Sequence, residues 1–277
     1  MMIDDMVYGH LKAKKVLEAV INRSQKRYND KVVGGSENFK NPLNCLLVGQ
    51  SGTGKTHLIK SYSKLYNFPL LTLTATELTP TGSHEGINSK QLRALITKTA
   101  NEYLKKPEYH SLEGVLSQMI VFVDEFDKLG VSFESTGNWN KQIQACFLTL
   151  IEEDLGVSWV FAGAFSNLYV PKRRSIGFFN EEKEVTTEFG DAMLLGSGII
   201  PEMLGRIPLI VQLDTFNKQD YLNILTNNLL PKYDLEDLNL DQIAEKALTS
   251  GQGIRSLTRQ LEMLTIEQEE PLCLRTR

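Results

Sequence analysis

Short apolar runs alternate along the chain with segments in which apolar residues recur at helical spacing. The apolar runs are rich in Val, Ile, Leu and Phe, as expected of strands buried on both faces of a sheet. They predict five strands, at Asn44–Val48, Pro69–Thr74, Met119–Val123, Ser158–Ala162 and Leu209–Leu213. Between them, Leu92, Leu95 and Ile96 share one helix face, and Ile143 and Phe147 share another. This alternation predicts an α/β fold with a doubly wound parallel sheet.

The strand pattern stops after Asp214, and only helical patterns follow it. They predict three helices, which cover Tyr221–Leu225, Ile243–Leu248 and Ile254–Leu264. We therefore expect a large α/β domain over residues 1–214 and a small helical domain over residues 215–277. The segments Asn29–Pro42 and Pro171–Gly190 are rich in Gly, Pro, Asn and charged residues, which predicts loops.

Composition excludes several classes of protein. A chain of 277 residues with 42% hydrophobic residues can build a sizeable core. Cys45, Cys146 and Cys273 have no CxxC spacing, so neither a disulfide framework nor a zinc site is expected. The N-terminus has no signal-peptide pattern, and no apolar run approaches the roughly 20 residues that cross a bilayer. A cytoplasmic location without membrane contact is expected, and a net charge of −4 leaves nucleic acid a possible but disfavoured partner.

The segment Gly49–Thr56 fits G-x-x-x-x-G-K-[ST] at every position. It follows a predicted strand and opens a predicted helix, which is the setting a phosphate-binding loop needs. In such a loop the backbone N–H groups and the helix N-terminus face phosphate oxygens. Lys55 would reach the β and γ phosphates of ATP, and the Thr56 hydroxyl would bind Mg²⁺. The predicted ATP-binding residues here are Gln50, Ser51, Gly52, Thr53, Gly54, Lys55, Thr56 and His57.

A second acidic site is expected at the end of another strand. Met119–Val123 leads directly into Asp124 and Glu125. Asp124 would hold the Mg²⁺ shell, and Glu125 would orient and polarise the attacking water. An acidic pair after a strand is a weak signal alone. With the phosphate-binding loop it predicts a complete ATP-hydrolysing site.

These motifs and their surroundings resemble the ClpX and HslU unfoldases of the AAA+ superfamily, from about Val7 to Leu264. Val7-Tyr8-Gly9-His10 resembles the adenine-contacting segment, which implies that Val7 and Tyr8 lie near the base. Phe161–Phe165 resembles the sensor-1 strand, with Ser166 or Asn167 as its polar tip. Gly198–Pro208 resembles the segment with the trans-acting arginine finger, which implies that role for Arg206. Gly251–Leu257 resembles the start of the sensor-2 helix, which makes Arg255 a nucleotide contact.

The resemblance also implies an architecture and an assembly. The expected fold is a P-loop AAA+ module whose five-stranded parallel sheet has the order 5-1-4-3-2, followed by a small helical lid domain. The expected assembly is a hexameric ring or spiral of identical chains, with ATP between subunits.

Some features depart from the unfoldase pattern. The pore-loop position, Thr79–Gly86, contains His84 but no Phe, Tyr or Trp, so a weak grip on a polypeptide is expected. The connection at Glu152–Val157 is short compared with a family insertion that contacts the partner peptidase, so docking of that peptidase is not expected. The chain starts directly at the motor core, so adaptor docking through a zinc-binding domain is not expected. Ile176-Gly177-Phe178 resembles a short family motif, and Lys172-Arg173-Arg174 could face an acidic partner or solvent.

Two functional hypotheses follow. The first is an ATP-driven ring that remodels a protein or complex. The second is a nucleotide-switched assembly or loader protein that recruits a partner, with DNA as one setting for it, without processive unfolding. A small-molecule kinase fits less well, because it would need neither Arg206 nor a helical lid carrying Arg255.

Overall fold

The computed structural model describes residues 2–36, 39–79, 87–130, 137–166, 190–235 and 238–268. The strands are β1 (Cys45–Val48), β2 (Leu70–Thr74), β3 (Ile120–Asp124), β4 (Ser158–Gly163) and β5 (Leu209–Gln212). The helices are α1 (Ile3–Met6), α2 (Leu11–Tyr28), α3 (Lys55–Tyr66), α4 (Ser89–Tyr103), α5 (Leu112–Gln118), α6 (Gly137–Glu152), α7 (Asp191–Gly196), α8 (Pro201–Gly205), α9 (Lys218–Ile224), α10 (Leu240–Ser250) and α11 (Ile254–Gln268). Each observed strand agrees with its predicted bounds to within one residue.

The described residues form two compact units. The first, here called the sheet unit, comprises the described parts of Lys12–Val48 and Phe68–Gln212. The second, here called the lid unit, comprises the described parts of Met1–Leu11, Gly49–Asn67 and Leu213–Arg277. The lid unit thus contains α3 and the loop before it, together with the helices after β5. The predicted domain division between residues 214 and 215 remains a prediction.

The sheet unit is built on five parallel strands in the order β2-β3-β4-β1-β5. Cys45 at the start of β1 lies opposite Val160 of β4 on one side and Leu209 of β5 on the other. The predicted fold class and strand order are therefore confirmed. A parallel arrangement brings the carboxyl ends of all strands to one edge, the edge at which ligands bind in open α/β sheets.

Burial follows position in the sheet. Every residue of β1 and β4 is buried, as are the first four residues of β3, whereas the edge strands β2 and β5 are partly exposed. Because successive side chains of a strand point to opposite faces, complete burial means that both faces are covered. The core contains an aromatic cluster of Phe126, Phe147, Trp159 and Phe161, whose closest ring centroids are 4.6 Å apart. This cluster joins α6 to β4 and to the turn after β3.

The loop prediction for Asn29–Pro42 was wrong at its start. Asn29–Val33 continues α2 as a π-helical segment. Tertiary contacts hold this segment, because Lys31 forms an ion pair with Glu113 at 2.7 Å and its ammonium lies 4.8 Å from the ring centroid of Phe39. Such contacts can override the local preference of an Asn-rich sequence for a loop. The other predicted loop, Pro171–Gly190, lies outside the described residues except for Gly190, the residue before α7.

The lid unit has its own small core. Tyr221, Ile224, Ile243, Ala247 and Leu257 are buried in it, on α9, α10 and α11, so the three predicted helices of this region are confirmed. On the surface, the ammonium of Lys218 contacts the carboxylates of Glu245 and Asp241, and these hydrogen bonds raise the pKa of Lys218. No helix within the described ranges is long and apolar enough to span a membrane.

Candidate nucleotide-binding site

The phosphate-binding motif forms a tight loop between β1 and α3. Gly52 and Gly54 have φ angles of +79° and +95°, which lie in the left-handed region that favours glycine. Gly54 directly precedes α3, and the helix is anchored by the buried residues Leu58 and Ile59. The helix begins at Lys55. The positive end of its dipole and its first-turn N–H groups lie there, and both suit a bound anion.

Lys55 lies within the curve of this loop. Its side chain is largely buried, and Nζ donates to the carbonyl oxygens of Gly49 at 2.5 Å and of Gln50 at 3.0 Å. The Thr53 hydroxyl also donates to the Gln50 carbonyl, at 2.9 Å. These bonds curl the loop around the ammonium, so the loop has the compact form that a phosphate-binding lysine requires.

The start of α11 lies directly on the loop. The Ile254 N–H donates to the Gly52 carbonyl at 3.0 Å, and Nη1 of Arg255 donates to the Ser51 hydroxyl at 3.2 Å. A Cβ on Gly52 would lie 2.0 Å from the Gln252 carbonyl oxygen, and one on Gly253 would lie 2.6 Å from the Gly52 carbonyl oxygen. Only glycine fits at both positions. The predicted nucleotide contact Arg255 is thus placed at the phosphate-binding loop, although its role there remains a prediction.

His10 joins three segments of the chain. It connects the N-terminal segment to the phosphate-binding loop and to Asp214, two residues after the end of β5. Its ring is buried, and Nδ1 accepts the Asp214 N–H at 3.0 Å, so the proton must be on Nε2. Nε2 then donates to the Thr53 carbonyl at 2.8 Å. The Asp214 carboxylate in turn accepts the His10 N–H at 2.6 Å. One imidazole therefore holds together the phosphate-binding loop, the N-terminal segment and the chain that follows β5.

The predicted adenine segment is also attached to the lid helices. Val7 is buried, and the Tyr8 hydroxyl donates to Asp220 at 3.0 Å and accepts from Asn223 at 3.0 Å. The predicted site residue His57 is exposed, and its Nε2 is 3.1 Å from the carbonyl oxygen of Met6. These contacts place Val7, Tyr8 and His57 in the same compact unit as the loop. Direct contact of any of them with a nucleotide remains a prediction.

The acidic pair lies in the sheet unit at the carboxyl end of β3. Asp124 is the last residue of β3, and Glu125 is exposed with a left-handed φ of +56°. The Glu125 N–H donates to the Asp124 carboxylate at 2.9 Å. Two residues later, the Asp127 carboxylate accepts the Ala164 N–H at 3.0 Å and so connects this turn to the end of β4. Strand β3 thus ends at the same edge of the sheet as β1, with Glu125 turned out of the strand.

Arg206 lies directly after α8 on the sheet unit. Its guanidinium donates to Glu152, the last residue of α6, at 2.6 Å, and both side chains are about half exposed. Its carbonyl accepts from the buried Asn44 side chain at 3.0 Å, and Asn44 also accepts the Trp159 N–H at 3.0 Å. The backbone of Arg206 is therefore fixed next to β1 and β4, and the residue lines an open cleft of about 510 Å³.

The groups at the phosphate-binding loop fit the phosphates of ATP. Two cationic side chains, Lys55 and Arg255, and the N-terminus of α3 meet at one loop, which suits an anionic phosphate chain. Thr56 lies in the first turn of α3, next to Lys55, and Asp124 ends β3 in the sheet unit. Both carry the hard oxygen donors that Mg²⁺ prefers, and their assignment as Mg²⁺ ligands remains a prediction.

Several sequence-based candidates are not placed by the structure. Asn167, Lys172-Arg173-Arg174 and Ile176-Gly177-Phe178 lie outside the described residues, and so does the pore-loop position except for Thr79. Ser166 is exposed three residues after the end of β4, and its sensor role remains a prediction. The short connection predicted near Glu152–Val157 lies between the end of α6 and the start of β4.

Sequence reasoning assigned no separate role to three residues that organise the site. His10 appeared only as part of a motif, and neither Asp127 nor Asn44 was assigned a contact. Asn44 could have been identified from the sequence, because it is a polar residue directly before an apolar run. The partners of His10 and Asp127 are more than 30 residues away along the chain, so no local pattern indicates them.

Comparison with known proteins agrees with this geometry. Residues 45–184 match the profile of the ATPase family associated with various cellular activities, AAA. The chain is also 27% identical to the ATP-binding subunit ClpX of the ATP-dependent Clp protease of Treponema denticola, over 96% of this chain and 74% of that protein. The matched region includes the phosphate-binding loop and the acidic pair. The chain therefore belongs to the AAA family of ATPases and is a ClpX-like AAA+ protein.

Proposed function

We propose that this protein hydrolyses ATP and uses the cycle to remodel a protein or a protein complex, as one subunit of a hexameric ring or spiral. The family supports an ATPase of the unfoldase type, and ClpX-like proteins typically form hexameric rings. The observation that carries the proposal is the lid unit, in which the phosphate-binding loop contacts both the N-terminal segment and the start of α11. Because of these contacts, a change in the phosphates bound at this loop would act directly on the N-terminal segment and on α11.

The chemistry assigned to each residue follows from its position. Lys55 and the start of α3 bind the phosphates, and Arg255 contacts them from the lid. Glu125 orients the attacking water and accepts its proton, which suits an exposed carboxylate turned out of the end of β3. Arg206 stabilises charge on the γ phosphate of the neighbouring subunit, for which a half-exposed guanidinium on a fixed backbone is well suited. Mg²⁺ held by Thr56 and Asp124 would neutralise phosphate charge.

A second function is a nucleotide-switched assembly or loader protein, and one sequence observation favours it. The pore-loop position Thr79–Gly86 has no Phe, Tyr or Trp, and a Gly-Ser-His-Glu-Gly tip offers little surface for van der Waals contact with a passing chain. We therefore expect no processive unfolding of a stably folded, tagged substrate. Sustained ATP-dependent loss of fluorescence from a folded fluorescent protein would contradict this expectation.

Electron microscopy of the Glu125→Gln protein with ATP separates the two functions. We expect this variant to bind ATP and to hydrolyse it at least about a hundredfold more slowly, the scale of a positioned acid–base group. A closed ring with polypeptide in its channel would support remodelling. An empty spiral or filament would support the switch, and an unchanged hydrolysis rate would show that another residue orients the water.

A further inference from the structure

The 3₁₀ turn Phe126–Leu129, which directly follows Glu125, is held by two amide side chains of α6. Asn140 Nδ2 donates to the Gly130 carbonyl at 3.0 Å, and Gln144 Nε2 donates to the Leu129 carbonyl at 2.8 Å. The two side chains are one helical turn apart on α6, so they lie on the same face. The helix therefore fixes the chain that leaves the acidic pair.

Gln144 also binds a second segment. Its Nε2 donates to the Gly198 carbonyl at 3.1 Å, and its Oε1 accepts the Ile200 N–H at 2.9 Å. The side chain is fully buried, and these bonds use both of its N–H hydrogens and its carbonyl. Two carbonyl partners and one N–H partner allow a single orientation of the amide. Gln144 thus connects the turn after Glu125 to the segment that leads into α8.

The same two segments also touch through their backbones. A Cβ on Gly130 would lie 2.2 Å from the Ser197 carbonyl oxygen, so no side chain fits between them. The φ of Gly130 is −58°, which any residue adopts, so space alone requires glycine here. This contact is independent of the Gln144 hydrogen bonds. Displacement of the turn would therefore push directly on Ser197–Ile200.

The path from Ile200 to Arg206 is short and packed. Ile200 precedes α8, and Arg206 follows it. Met203 of α8 is buried in the same core as Phe126 of the turn, and so is Ile207 directly after Arg206. Protein interiors have low compressibility and transmit strain, so a displacement of the turn would reach α8 through this shared core. The position of the Arg206 backbone is consequently tied to the turn after Glu125.

We propose that Gln144 is a positioning residue that couples the water-orienting end of a subunit's own ATP site to the arginine that it presents to the next subunit. This inference rests on the proposed function, in which Glu125 acts within the subunit and Arg206 acts on its neighbour. A subunit that holds ATP and a subunit that is empty then present Arg206 differently. Hydrolysis in one subunit would depend on the nucleotide state of the next.

The coupling is tested in mixed rings. The reporter subunit carries Arg206→Ala, so that it hydrolyses ATP only with an arginine from its neighbour. Two donor subunits are compared, and neither hydrolyses ATP itself. The Glu125→Gln donor keeps ATP bound, whereas the Lys55→Ala donor binds no nucleotide. We expect reporter turnover beside the two donors to differ by about fivefold or more, as is typical of coupled sites. Adding Gln144→Met to both donors should reduce this ratio to near one.

Gly130→Ala in the donors is a second test, needed if Gln144→Met prevents folding, and it should also reduce the ratio. Gly196→Ala is the matched control, because a Cβ there meets nothing within 4 Å, and it should leave the ratio unchanged. A ratio near one with unmodified donors, or a ratio that survives both variants, would overturn the proposal. Absence of any reporter turnover beside unmodified donors in proven mixed rings would instead refute action of Arg206 in trans.

Discussion

Replacement of His10 by alanine should loosen the phosphate-binding loop from the start of the lid. The imidazole is 1% exposed, and it donates to the Thr53 carbonyl while accepting the Asp214 N–H. Its ring also packs against Phe216 with a centroid distance of 4.9 Å. Alanine removes both hydrogen bonds and this ring contact, and it leaves a space at the junction of three chain segments.

The cost can be estimated from these contacts. An orphaned buried N–H costs about 1–3 kcal/mol, and the Asp214 N–H belongs at the lower end because the side chain of Asp214 is half exposed and water can approach. The lost ring contact adds about 0.5–1.5 kcal/mol. The Thr53 carbonyl loses its buried donor as well, which costs about another 1 kcal/mol, so the expected loss in free energy of unfolding is about 3 kcal/mol. With the Thr53 carbonyl released, we expect ATP affinity to fall about tenfold, equivalent to about 1.4 kcal/mol.

The assay is urea denaturation combined with titration of a fluorescent, non-hydrolysable ATP analogue. His110→Ala is the matched control, because His110 is exposed, and its stability should stay within about 0.5 kcal/mol of the parent protein. His10→Gln should recover part of both losses, since an amide can also donate and accept. Unchanged stability and affinity in His10→Ala would refute the role assigned to this imidazole.

Three further outcomes are expected. Lys55→Ala should abolish tight ATP binding, and binding at the parent level in an equilibrium titration would refute the phosphate-loop assignment. Arg206→Ala should lower turnover by about 10³-fold with ATP binding retained, and mixing it with Glu125→Gln subunits should restore part of the activity; proven co-assembly without rescue would exclude action in trans. Burial raises the pKa of Cys45 to about 12, so this thiol should resist alkylation at pH 8 in the folded protein and react once unfolded. Rapid labelling of Cys45 under native conditions would show that β1 is accessible.

The pKa of Cys45 also has a consequence for stability. The folded protein keeps this thiol protonated above pH 9, where the unfolded chain loses the proton. The contribution of the Cys45 thiol to the free energy of unfolding is therefore fully present below about pH 9 and is lost as the pH rises toward 12. Cys45→Ala should remove this part of the pH dependence, which denaturation at several alkaline pH values would measure.

Much of the fold could be predicted because it depends on local sequence. Buried parallel strands need continuous apolar runs, so all five strands were located to within one residue. The phosphate-binding loop was equally accessible, because its glycines, lysine and helix start are consecutive residues. The strand order was implied by family resemblance and not by hydrophobic pattern, since strands of similar composition can be arranged in several orders.

The tertiary structure decided which residues, far apart in the sequence, contact one another at the site. His10 and Asp214 are 204 residues apart, and Gln144 reaches Gly198 across 54 residues. A polar side chain with a buried role differs from an exposed one only through its surroundings, which the chain creates by folding. The same holds for Gly130, whose φ is ordinary and whose requirement for glycine comes entirely from the Ser197 carbonyl beside it. The sequence by itself determined the strands and the phosphate-binding loop, and folding determined which residues connect that loop to the lid and the acidic pair to Arg206.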